Sequence, residues 1–522
     1  MAQDGAGLEP NQPVAVSSST QGDSAASSSA PLLPAFCHRC FTCCGGMGTS
    51  PELSGFMLLK LLRAVQVAHS AVFFAPALQT AVRAYAGCPP LADDADACVD
   101  DSGKCNNRIF SGLLRQNSVI GTLASVSAFF AAVVAPTVGV FCDATPYRRA
   151  VGLVGAVVGA LVMLAGVTLD STEALLSLNL ACVFIGYIAK DVVILMAHSY
   201  LPELSHDIRE QARASGIGNA WLYGGELISI AVMLVLTTIT GAKDNDIGRL
   251  SGGVFGTASL VLIPFTFSSL RAKPPRVGAA DDEMQAPGCL GHVLGSFRRS
   301  VVVVRNCWRE NRDYALLLLT ALISDPALNG MVVLAAVFLS EEGCLTASQV
   351  SMALALAILC ALPGAVVCGQ FAQTVRAARN AEVGLLLTNA VWMSIFSAAL
   401  PRGSFIVSAL MSAVIGFLLG ATWQAHAVML AGTVTPSREA ELSSVSILSY
   451  NLLQWVPPLL FVLMNEATGS MKAALALLVP FLLGGAVVVS FVNPARSQEH
   501  VSKMLSRRRI VVAEDAEDGS GI

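Results

Sequence analysis

Apolar residues in this chain come in long unbroken runs, and the polar residues are confined to short gaps between them. Twelve such runs lie at roughly 57–82, 117–141, 149–169, 174–199, 214–241, 250–270, 314–339, 346–371, 380–400, 404–431, 441–464 and 471–492. A helix rises about 1.5 Å per residue, so about 20 mostly apolar residues cross the hydrocarbon layer of a bilayer. A helix in a soluble core shows an apolar stripe, whereas these runs are apolar on every side. The pattern predicts an all-α polytopic membrane protein with 12 transmembrane helices. Composition agrees: of 522 residues, 54% are hydrophobic and only 13% charged.

With twelve spans, an even number, both termini lie on one side, and the loop charges say which side that is. Arg148 and Arg149, Arg209 and Arg213, Arg376 and Arg379, Arg438, the bases between Arg271 and Arg312, and Lys503 with Arg507 to Arg509 all fall on the side of the termini. The other side holds Lys104, Lys243, Arg249, Arg402 and Lys472 among acids such as Asp93, Asp94, Asp96, Glu341 and Glu342. The positive-inside rule places the termini in the cytosol. The net charge of −4 gives no footprint for nucleic acid; the expected partners are a lipid bilayer and a small-molecule substrate.

Five segments follow: a cytosolic tail 1–54, a six-helix half 55–270, a cytosolic central loop 271–312, a second six-helix half 313–493 and a cytosolic tail 494–522. The first 36 residues are Ser-, Ala- and Gly-rich, too polar to build a core, and are expected to be disordered. Asp4, Glu9 and Asp23, with no Arg before Arg39, do not read as a transit peptide. Cys37, Cys40, Cys43 and Cys44 stand in the approach to the first span, where S-acylation competes with a metal site as the reading. Cys88, Cys98, Cys105 and Cys344 face the oxidising side, where one or two disulfides can form among them. The remaining cysteines read as small packing residues.

The chain also repeats itself. Gly139-Val-Phe141 before Arg148 and Arg149 is echoed by Gly369-Gln-Phe371 before Arg376 and Arg379; Arg209-Glu210 before the fifth span is echoed by Arg438-Glu439 before the eleventh. An offset of about 230 residues makes two parallel six-helix halves, the plan of the major facilitator superfamily, with substrate near the midplane between them. The loop carrying Gly139, Asp143, Arg148 and Arg149 resembles that superfamily's signature loop. Its acid and bases can pair across helix ends and hold one state of the rocking halves; a plain positive-inside loop is the simpler alternative.

A narrower resemblance comes from Tyr200-Leu-Pro202-Glu203, Arg213-Ala-Ser215 and Gly218 through Tyr223 to Gly225, and from Gly416, Gly420, Gln424, Pro436, Glu439-Ala-Glu441, Trp455, Pro458 and Thr468-Gly469. With Ala68-His69-Ser70-Ala71 and Asp325, these resemble the Atg22-like vacuolar amino-acid effluxers. The resemblance implies export of neutral amino acids from vacuole or lysosome to cytosol, a link to autophagy, and a monomer. The chain departs from that pattern where the family has an acid (here Gln66), an Asn (His69), a base after the tenth-helix Gln (Val428) and a Lys (Asn451).

Within the spans each ionisable group costs about 2.5–3.5 kcal/mol on insertion scales and calls for a partner or a role. Asp325 precedes Pro326 with Asn329 one turn on, and is the leading position for a substrate amine or a proton. Lys190 and Asp191 are adjacent, so they point about 100° apart and one of them faces the cavity. Glu226, His69, Gln424 and His426 complete the set; for His69 and Glu226 the bland reading is a hydrogen-bonded packing residue. The sequence carries no phosphate-cradling loop and no paired catalytic acids in a soluble domain, and no cofactor is expected, so the expected activity is gradient-driven transport rather than enzymatic. A facilitator of sugars or another organic solute, and a membrane scaffold acting through its tails, are the alternatives.

Overall fold

A computed structural model describes residues 51–89, 107–144, 147–204, 208–270, 289–433, 439–496 and 499. The N-terminal cysteine cluster, Cys98 and Cys105, the first part of the central loop and the last residues of the C-terminal tail lie outside the described residues.

The first half comprises α1 (Pro51–Tyr85), α2 (Val119–Ala144), α3 (Arg148–Ala165), α4 (Glu173–Leu204), α5 (Ile208–Thr240) and α6 (Asn245–Ser269), with a two-residue hairpin, β1 (Arg108–Ile109) and β2 (Leu114–Arg115), ahead of α2. After α7 (Cys289–Glu310), the second half comprises α8 (Arg312–Glu341), α9 (Ala347–Phe371), α10 (Val375–Ala399), α11 (Phe405–Thr433), α12 (Glu439–Leu452), α13 (Val456–Thr468), α14 (Met471–Ala476) and α15 (Val479–Ser490). The architecture is the expected all-α bundle of membrane-length helices.

Among the described residues, 11 helices are long and apolar enough to cross a membrane. The predicted continuous eleventh span, 441–464, is instead broken into α12 and α13. Pro457 and Pro458 remove two backbone donors and disfavour helix just before them. The Trp455 indole donates to the Leu452 carbonyl at 3.0 Å, and Ser125 of α2 donates to the Trp455 carbonyl at 2.8 Å. Irregular backbone at membrane depth is tolerated when it is covered by protein in this way. The last span is likewise in two pieces, α14 and α15. A second difference is α7, a 22-residue helix inside the segment expected to be a loop.

The exterior is what a bilayer requires. Along α5, Ile228, Val232, Val235 and Ile239 are exposed at helical spacing, while Glu226, Ser229, Ile230 and Met233 on the opposite arc are buried. In the second half α9 and α11 touch backbone to backbone: a Cβ at Gly416 or Gly420 would overlap the carbonyls of Ala357 and Ala361.

Hydrogen bonds and ion pairs between described residues of the two halves fall between the midplane and the end remote from the termini. Glu341 of α8, nearly buried, accepts from Arg83 of α1 at 2.6 Å, Gln79 at 2.9 Å and Gln116 at 3.0 Å. Asn465 of α13 donates to Asn117 and Ser118 beside α2, and Ser351 of α9 to the Val72 carbonyl. Cys88 and Cys344 at this end are both disulfide-bonded, whereas Cys182, Cys360 and Cys368 are free thiols.

Candidate functional site

Two clusters of ionisable groups lie inside the bundle, one in each half. The first gathers around Arg63 of α1, whose charge acts on Lys190 and Asp191 of α4, on Glu226 and Tyr223 of α5, and on Tyr450 of α12. Its Nε is buried without a hydrogen-bond partner. Gly225 lets α5 approach closely, since a Cβ there would meet Leu61 and Ala64 of α1, and this brings Glu226 to the guanidinium. Lys190 sets its Nζ over the Tyr187 ring, 4.7 Å from the centroid, and it and Asp191 act on each other's charge.

The second cluster joins Asp325 of α8, Glu382 of α10 and His426 of α11. His426 Nδ1 lies 2.9 Å from Glu382 Oε1, and the charges of both act on Asp325. Asp325 is only 6% exposed and Glu382 1%. Asn329 donates to the Asp325 carbonyl at 2.8 Å and accepts from the Tyr450 hydroxyl at 3.1 Å. The charges of Asp325 of one half and Asp191 of the other both act on Tyr450.

Asp191 and Glu226 therefore share Arg63, while Asp325 and His426 share Glu382. His69 sits in a π-helical turn, Ala68–Phe74, ahead of Pro76, with Nδ1 3.2 Å from Ser251 Oγ of α6. Ser251 spends its own proton on the Gly248 carbonyl, so Nδ1 is the donor and His69 is bonded to a neighbouring helix. Gln424 packs against Gly369 of α9, away from both clusters. Of the loop residues, Gly139 and Asp143 end α2 and Arg148 and Arg149 open α3; the Arg148 guanidinium lies over the Tyr200 ring, and the Asp143 side chain is outside the described residues.

Arg63, Glu382 and Tyr450 were not singled out in the sequence. Arg63 lies well inside the first predicted span, so the cost of a charge at that depth was the signal available. Glu382 stands close to the predicted start of its span and reads there as an interfacial charge, and Tyr450 carries no charge at all.

Two helical halves with ionisable groups of both signs buried along their shared interior define a facilitator-type membrane transporter. Solved structures agree on the fold. The chain is similar to a D-xylose-proton symporter (12% identity, 85% of this chain and 99% of that one, TM-score 0.57), to the human organic anion transporter MFSD10 (14%, 85% and 100%, 0.56) and to the nucleoside transporter NupG (12%, 84% and 99%, 0.53). No curated protein matches the sequence. A family profile described as "Vacuole effluxer Atg22 like" matches residues 49–502. The chain belongs to that family, as an integral, multi-pass transporter of the major facilitator type.

Proposed function

We propose that this transporter moves neutral amino acids from the vacuole or lysosome to the cytosol by alternating access, driven by a proton gradient. The observation that supports the reading is a buried group of charges in each half, Arg63, Asp191 and Glu226 in one and Asp325, Glu382 and His426 in the other, with Tyr450, hydrogen-bonded to Asn329, feeling charges from both halves. A zwitterion needs an acid for its ammonium and a base for its carboxylate, and a site between rocking halves with both signs meets that need. Asp325 is the group that takes the substrate amine or the proton.

The loop charges put the termini in the cytosol. On that orientation the bonds of Glu341 to Arg83, Gln79 and Gln116 close the lumenal end, and they must break for cargo to enter. The loop of Gly139, Asp143, Arg148 and Arg149 then serves the cytosolic gate, and the chain works as a monomer.

Uptake by purified full-length protein in proteoliposomes, with labelled leucine, tyrosine and glucose and an imposed pH gradient, tests the reading. Leucine or tyrosine accumulation that collapses when the gradient is removed is expected, and the Asp325→Asn variant loses that dependence. Glucose uptake in place of amino-acid uptake, or full gradient dependence in the variant, overturns it.

A further inference from the structure

Inside the first half, α1 to α4 line a partly open cavity of about 60 Å³, and Lys190 of the first cluster reaches it. Gln66 enters it from α1, Lys190 and Tyr187 from α4, and its walls are otherwise mainly apolar, among them Leu78 and Leu123. Gln66 is only 5% exposed, yet neither its Nε2 nor its Oε1 has a hydrogen-bond partner. The amide is held in place by α3, where Gly159 has no side chain; a Cβ there would lie 2.9 Å from Gln66 Nε2. Lys190 Nζ makes no hydrogen bond among the described residues; it lies over the Tyr187 ring, and the charges of Asp191 and Arg63 act on it.

A buried amide without a partner is a costly arrangement if nothing fills the cavity, and the half-buried Lys190 ammonium faces the same space. Together they offer what a small monoanion takes: one full positive charge and an N–H beside it. A cavity needs about 10–15 Å³ to hold one water, so this one is large enough for a halide or a carboxylate head and too small for a whole organic substrate.

We infer that Gln66 and Lys190 form an anion subsite in the first half, filled by a halide or by the carboxylate of the cargo. The carboxylate form rests on the amino-acid reading above; the halide form does not.

Melting temperatures of the purified full-length protein in detergent test the subsite. Sodium chloride is compared with sodium isethionate at equal ionic strength, and leucine with leucinamide, which lacks the carboxylate. If a halide fills the site, chloride stabilises the protein more than isethionate does; if the cargo carboxylate fills it, leucine stabilises and leucinamide does not. In either case Lys190→Met weakens the apparent affinity roughly ten- to hundredfold, the worth of a hydrogen bond to a charged group. Gln66→Glu keeps the lysine and gives it an internal partner, so it is expected to fold and to show no anion response, which keeps the test decisive if Lys190→Met does not fold.

Absence of stabilisation by either anion in the wild type, or a wild-type response in Lys190→Met or in Gln66→Glu, overturns the subsite. Leucine transport is read separately in proteoliposomes. Chloride stabilisation that depends on Lys190, without leucine transport, refutes the cargo and leaves the subsite standing. Leucine transport with no anion response refutes the subsite alone.

Discussion

The two charged clusters differ in how their charges are met. In the second half Glu382 holds His426 at 2.9 Å through one oxygen, its other oxygen is buried without a hydrogen-bond partner, and the charges of both act on Asp325. In the first half charges of like and unlike sign crowd around Arg63, and its Nε and the nearby Gln66 amide lack hydrogen-bond partners. An acid and a base fixed by a hydrogen bond, with one carboxylate oxygen still open, are suited to holding one proton or ammonium in a fixed place. An unsatisfied cluster invites a partner from outside the chain. Function in a two-halved transporter need not be shared symmetrically, even when the halves repeat each other in sequence.

Severing the connection between the halves gives the largest expected effect. Glu341→Gln leaves Arg83 buried without its counter-charge, and such a loss typically costs about 3–5 kcal/mol. A large drop in melting temperature is expected, with recovery in the Arg83→Gln, Glu341→Gln double variant; a drop in the double variant as large as in the single one would show that the pair does not link the halves.

Next come the cluster centres themselves. Asp325→Asn and Arg63→Gln each remove a charge-assisted interaction, worth about 1.5–3 kcal/mol or roughly ten- to hundredfold in transport efficiency. The contrast between clusters predicts different signatures. Asp325→Asn should abolish the response to a pH gradient, whereas Arg63→Gln should raise the KM for cargo and leave the gradient response intact. Identical signatures would erase the distinction.

A smaller effect is expected at the α9–α11 contact, where Gly420→Leu drives a side chain into the Ala361 carbonyl. Overpacking of this kind costs about 1–3 kcal/mol, read as loss of thermal stability. The smallest concerns the group between the clusters. Tyr450→Phe deletes the hydrogen bond to Asn329, worth about 0.5–1.5 kcal/mol, and a double-mutant cycle with Asn329→Leu measures how much of that belongs to the pair.

The outline of the bundle was legible because crossing a bilayer demands length and greasiness, and both are local properties of sequence. The break in the eleventh span was not, since the apolar run continues through Leu452 and Leu453; only Pro457 and Pro458 mark it. Asp325 and His426 were identifiable one at a time as buried polar residues. Their common partner was not, because Glu382 and His426 are 44 positions apart on different helices and meet only through packing. Likewise Asp191 and Glu226 look like independent acids until Arg63 is placed between them. Gln424 is the opposite case: it is polar and deep, but it is turned toward Gly369 by the helical phase that sends His426 the other way.

The bare main-chain contact of Gly416 and Gly420 with α9 has a mechanical consequence. With no side chains between them to compress or rotate, those two rods cannot slide past each other without atoms colliding. Whatever rearrangement opens one face and shuts the other must carry them as a single plank, and the compliance is left to the interrupted stretch at Leu453–Trp455.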